Sequence, residues 1–162
     1  MTIPLADDMY ALADALLGQV MDTARAIGDE GLNVLPAGLQ NTAYTIVYHL
    51  LGSAGYWIGE VVGAQPTGRV RAEEFGTHGT LRELEDRYAD TRARVDPALR
   101  GLDASALTPH PTDLSRGMLS WGFLPPQGRS DVWVVAHDLA HIGYHLGQLK
   151  LIEQLLANHP AG

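Results

Sequence analysis

The residues best suited to chemistry in this chain are its seven histidines, and they are unevenly placed. His78, His110 and His159 fall in loops or near the chain end. The other four fall on two apolar, helix-patterned segments: His49 alone on one, and His137, His141 and His145 on the other. Residues four apart are neighbours on a helix surface, so two imidazoles at that spacing can converge on one ion. Three in succession do so poorly, because each step of four turns about 40° and leaves His137 about 80° from His145. One adjacent pair therefore supplies two ligands, and spacing alone leaves open which pair it is. A divalent transition metal needs at least one more protein ligand, and a catalytic site keeps a further position open. His49 is the natural third, on a second apolar helix beside small polar neighbours. Neutral imidazoles suit zinc first, with nickel, iron, cobalt or manganese as alternatives. A lone helix histidine is ordinarily a hydrogen-bonded core residue, and nothing flanking these four specifies a haem. Four imidazoles buried on two apolar helices are nevertheless costly to explain as structure alone.

Four helical segments must position these side chains. The first runs from Pro4 to about Ile27, with Leu5, Met9, Leu12, Leu16, Val20 and Ile27 at steps of three and four and Thr23 interrupting. Pro4 suits a first helical turn, and Gly28 to Gly38 reads as a connection. The second, from about Gln40 to Val62, is apolar on most sides, as a buried helix is. One stripe on it, Thr42, Thr45, His49, Ser53 and Tyr56, is polar or small and predicts an internal polar cavity. Gly63 to Gly79 reads as a loop. The third helix opens with Thr80 and Glu83 at capping-box spacing and presents Leu81, Leu84, Tyr88, Thr91 and Val95 on one face. Its other face pairs Glu83 with Arg87 and Asp90 with Arg94, which predicts a solvated outer helix. Gly101 to Arg129 is a long irregular connection. Its apolar run Met118 to Leu124, including Trp121 and Phe123, predicts a part that packs down over a cavity. The fourth helix starts after Ser130 as N-cap and continues to about Ala157. Few charges interrupt it, which predicts a central position. Gly143 and Gly147, one turn apart, predict close approach of another helix. Trp57, Trp121 and Trp133 read as packing anchors.

Bulk properties bound the function. The chain has 162 residues, 46% of them hydrophobic, which predicts one domain over residues 1–162 with a real core. A net charge of −8 without any Lys/Arg cluster argues against a nucleic-acid partner. With no cysteine, disulfides, thiolate ligands and a protein thiol nucleophile are excluded. No basic-then-apolar leader and no bilayer-length apolar run appear, so the expected address is cytoplasmic, with no membrane partner.

The run His141-Ile142-Gly143-Tyr144-His145-Leu146-Gly147-Gln148 resembles the His-x-x-Tyr-His-Leu-Gly-Gln core on the fourth helix of the DinB-like family. Pro36-Ala37-Gly38, Asn41 and His49 resemble the turn and first ligand of that family's second helix. The resemblance covers essentially the whole chain. It implies an all-α, four-helix bundle of up-up-down-down character, often a homodimer, with His49, His141 and His145 as the metal triad. His137 then becomes a cavity or ligand-supporting residue, and Gln148 holds neighbouring backbone or lines the site. Some relatives look like S-transferases using mycothiol, bacillithiol or glutathione, including mycothiol-dependent maleylpyruvate isomerases, and others resemble hydrolases.

Three activities follow as expectations. The first is a metal-dependent transfer of a low-molecular-weight thiol to a small electrophile, with Tyr56, Trp121 and Gln148 lining the substrate cavity. The second is metal-assisted hydrolysis with water as nucleophile, for which Asp138, His137 and Glu60 are candidate bases. Asp138 is better read as the partner that orients His141. The third is a non-catalytic metal-binding stress-response module, in which the ion chiefly joins two helices.

Overall fold

The computed structural model describes residues 4–109 and 129–158. Four helices account for most of them: α1 (Pro4–Leu32), α2 (Ala43–Ala54), α3 (Leu81–Arg100) and α4 (Asp131–Asn158). The chain is an all-α bundle. α1 packs on α3 and α4, and α2 packs on the same two, while α3 and α4 share no contact among the described residues. α3 and α4 therefore stand on a diagonal with α1 and α2 between them. One apolar core joins all four and includes Leu17, Met21, Leu50, Leu51, Leu99, Ile142 and Leu149.

The helix ends follow local chemistry. Gly28 has φ 69°, a left-handed value that glycine tolerates, and it breaks α1 where the periodicity stops; one further helical turn then runs to Leu32. The buried stripe of α1 is Ala6, Ala13, Leu17, Val20, Met21 and Ala24, whereas Leu12 is exposed. Leucines occur on several sides of this segment, and small alanines at the contact let the neighbouring helices approach. Thr23 is buried and its hydroxyl donates to Gln19 O at 2.8 Å, so it interrupts the apolar stripe without leaving a buried donor unmet.

α2 begins at Ala43, three residues later than the pattern suggests, because Thr42 caps it by accepting from Thr45 N. Beyond Ala54 the same rod continues as wider π-helical turns over Gly55–Val62. The Thr80–Glu83 capping box is present at the start of α3. Because Glu83 is committed to that box, Arg87 instead donates to Tyr48 O at 3.3 Å and stacks on the Tyr48 ring; Asp90 and Arg94 pair as expected. Ser130 Oγ accepts from Trp133 N and caps α4. An isolated bridge between Pro109 and Ser130 holds together the two ends of the intervening segment.

Two expectations about α4 are corrected. Its exposed side carries Ala136, Ala140, Tyr144, Gly147 and Leu151, so scarcity of charge marks no central position; α4 packs on α1 and on the α2 rod with its π-helical extension, and, among the described residues, not on α3. A Cβ at Gly143 or Gly147 would meet nothing within 4 Å, so neither admits a close helix. Close approach occurs at Gly59 and Gly63, where a Cβ would fall 2.8 Å from Arg94 Cβ and 2.7 Å from Ala98 Cβ on α3.

Candidate metal centre

The stripe on α2 and the histidines on α4 face each other. His49 is buried, and the His49 ring lies 5.1 Å from the His141 ring and 5.4 Å from that of His145, centroid to centroid. One ring nitrogen from each of the three falls within 4.8 Å of the other two, an arrangement that could hold a metal ion. The two facing nitrogens resolved most directly, His49 Nε2 and His141 Nε2, are 3.3 Å apart. Two imidazoles bound to one tetrahedral zinc at about 2.0–2.1 Å would stand about 3.3 Å apart, so the donor set fits such an ion.

Tautomer selection supports the same reading. His49 Nδ1 meets the Glu74 carboxylate at 2.7 Å. His145 Nδ1 meets the Gln148 carbonyl oxygen at 2.6 Å. His141 Nδ1 lies 3.4 Å from Ser53 Oγ, whose hydroxyl donates to Asp138 Oδ1 at 2.7 Å, and 3.9 Å from that carboxylate oxygen. Glu74 and Gln148 present acceptors, and Ser53, having spent its proton on Asp138, presents a lone pair. All three rings are therefore set with the proton on Nδ1 and a lone pair on Nε2, the form a metal ligand needs. Burial, followed by the charges of His145 and His49, pushes the His141 imidazole down to about 3, and burial also lowers His145. Both are thus held in the neutral form.

Glu74 went unpredicted from the sequence. It lies in a 3₁₀ turn, Arg71–Glu74, within the segment read as a loop, and its side chain is 2% exposed. Burial would raise its carboxyl; hydrogen bonds from Arg69 and His49 outweigh that and hold it below the usual carboxylate range. An acid buried in an aperiodic stretch leaves no pattern to read, and the Arg69–Glu74 pairing of opposite charges is the one sequence hint.

The other predicted residues fall as follows. Asp138 is fully buried, and burial pushes its carboxyl up to about 7 against the opposing pull of Ser53 and Arg69. His137 stacks on Trp133 at 5.1 Å and meets Trp57 edge-on, in a separate aromatic group outside the three-histidine cluster. Tyr56 is half-buried, packs against Trp57 and carries the Arg69 guanidinium over its ring at 5.7 Å. Glu60 is occupied by Thr67, whose backbone N–H and hydroxyl both donate to it. Gln148 also borders a cavity of about 290 Å³ with Leu39, Asn41, Ile46 and Leu151. Phe75 and Tyr144, both about half exposed, lie against His49 and His145. Trp121, with Met118 and Phe123, lies outside the described residues.

The fold and the facing histidine-bearing helices define a class. A family model described as the DinB superfamily matches residues 13–149, and the chain belongs to that superfamily. Comparisons with curated proteins and with solved structures gave no match. Among the described residues no helix is long and apolar enough to cross a membrane.

Proposed function

We propose that this chain holds a divalent transition metal between His49, His141 and His145, with zinc the first choice by ligand type, and that it transfers a low-molecular-weight thiol to a small electrophile. The observation that carries the proposal is the convergence of three imidazoles, each with an acceptor at Nδ1 that leaves Nε2 as donor. When bound, such an ion supplies positive charge that lowers the pKa of a thiol toward neutrality. The sulfur electron pair then forms a bond to the electrophilic carbon. The displaced group leaves with its bonding pair and takes up the proton the thiol has released.

The protein residues orient and enclose. Glu74, Gln148 and the Ser53–Asp138 pair hold the three rings in register. Asp138 has no exposed surface and lies on the Nδ1 side of His141, so it acts as a positioning residue and takes no proton from substrate. Glu60 accepts both Thr67 donors, and His137 lies among tryptophans outside the three-histidine group. With the candidate bases so placed, the arrangement favours a nucleophile that ionises readily by itself, as a thiol does, over water that needs a base. The cavity beside Gln148, lined by aliphatic and amide side chains, suits a substrate with an apolar body and a hydrogen-bonding group.

The test is a panel of low-molecular-weight thiols crossed with electrophilic acceptors, run on zinc-loaded and chelator-stripped protein. Metal-dependent turnover that requires thiol is the expected result. Equal turnover without thiol would replace transfer by hydrolysis. Zinc binding that raises thermal stability with no turnover for any pair would assign the ion a purely structural role.

A further inference from the structure

We infer that Arg69 and Glu74 form a clamp that positions His49 and makes the ordering of residues 67–77 part of metal binding. The inference rests on the metal reading above and adds a residue pair, a glycine and a chain segment to it. Arg69 donates from Nε to Glu74 Oε1 at 2.6 Å and from Nη2 to Oε2 at 2.8 Å, a two-point pairing. The same Oε2 accepts from His49 at 2.7 Å. Side-chain exposures of 9% for Arg69 and 2% for Glu74 take both charges out of water. A buried carboxylate is tolerated only when its charge and lone pairs are met, and here one partner is the cation and the other is the candidate ligand.

Little else fastens this segment. Val70 and Phe75 are about half exposed, and Arg71, Ala72 and Glu73 are exposed, so apolar burial contributes little. The remaining ties are mostly polar: Thr67 donates twice to Glu60 at the segment's start, the Thr45 hydroxyl donates to Thr77 O, the Thr77 hydroxyl donates to Glu74 O, and the Phe75 ring lies against His49. Arg69 is braced by the Tyr56 ring, on the π-helical continuation of α2. Gly52, one turn beyond His49, completes the device. A Cβ there would collide with Glu74 Oε1 and come within 2.8 Å of Arg87 Nη2, so the carboxylate reaches His49 only across a bare helix position. Glycine inside a buried helix is otherwise unfavourable, and the close approach of Glu74 accounts for it. Whatever strengthens the His49–Glu74 contact must order the segment, and whatever orders the segment must strengthen the ligand, because such coupling is reciprocal.

The experiment measures Zn²⁺ affinity by competition with a chromophoric chelator, and amide hydrogen exchange across residues 67–77 with and without Zn²⁺. It compares the wild-type chain with Glu74→Gln, Glu74→Ala, Arg69→Met and Gly52→Ala, each checked for helical content by circular dichroism. Wild type should exchange more slowly in this segment when zinc is present. Glu74→Ala and Gly52→Ala should each bind zinc about 10–100-fold more weakly and lose that protection. Glu74→Gln, which still accepts from His49 without pairing the Arg69 charge, should lose less. Gly52→Ala and Arg69→Met keep the test decisive should Glu74→Ala unfold. Unchanged zinc affinity in Gly52→Ala and Arg69→Met, or protection indifferent to zinc in wild type, overturns the clamp. A wild-type chain that binds no zinc overturns the metal reading itself, a distinct result.

Discussion

Two polar clusters are built into this bundle, one between α1 and α3 and one between α2 and α4, and they are satisfied in opposite ways. Around Arg92 every charge meets its complement. Its guanidinium donates to Asp96 and Asp14, each at 2.6 Å, and to the hydroxyls of Tyr88 and Tyr10. Burial works against that charge, and the carboxylates beside it more than restore it, raising the guanidinium pKa. Between α2 and α4 the chain instead gathers three imidazoles, directs each Nδ1 to an acceptor and turns the second nitrogens toward one another. Like lone pairs facing across 3.3 Å complement a cation and not each other. A cluster that closes on itself stabilises; one that converges on a common point selects a ligand.

The largest effect should come from His49→Ala, which removes one of three donors. Zinc binding should weaken by at least about a hundredfold in calorimetric titration, with helical content retained. Near-native affinity would end the distinction between the two clusters. Next, Arg92→Ala should destabilise the fold by about 2 kcal/mol, less than a fully buried pair because Asp14 is 55% exposed. A fall in Tm of about 4–8 °C with zinc affinity unchanged is the expected pattern. A loss of zinc binding here would mean that the clusters are coupled.

Ser53→Ala probes the boundary between the two behaviours. It strips Asp138 of the donor that partly compensates its burial, so it should cost about 1–2 kcal/mol of stability in denaturant titration. It should also weaken zinc several-fold by loosening His141, and a change in only one of the two measurements would assign Ser53 to structure or to the site alone. The smallest effect on stability is expected for Gln148→Ala, on the partly exposed side of α4. Zinc affinity should fall about tenfold with the unfolding midpoint nearly unchanged.

Much of the candidate site was legible from spacing, for reasons specific to helices. His141 and His145 share a face because four residues nearly complete a turn, and the stripe Thr42, Thr45, His49, Ser53 and Tyr56 is polar or small on an otherwise apolar rod. The first four of those positions are buried, and Tyr56 is half-buried. Spacing also sets His137 apart from His145, and it lies among tryptophans instead. Glu74 and Arg69 gave no periodic signal, because a loop that holds only a short 3₁₀ turn has no period. The buried stripe of α1 was misjudged at Leu12, where a helix with leucines on several sides offers more than one face for burial.

Local chemistry written in the chain therefore determined the helices, their caps at Thr80 and Ser130, the break at Gly28 and the four-residue spacing of His137, His141 and His145. Each depends on residues within a few positions, where backbone hydrogen bonding and side-chain periodicity operate. Only the tertiary structure decided that α3 and α4 stand on a diagonal, that Gly52 rather than Gly143 or Gly147 is a place of close approach, and that an acid 25 residues beyond His49 fixes its ring. Those outcomes rest on which surfaces meet, and a contact between distant segments is set by the packing of the whole bundle.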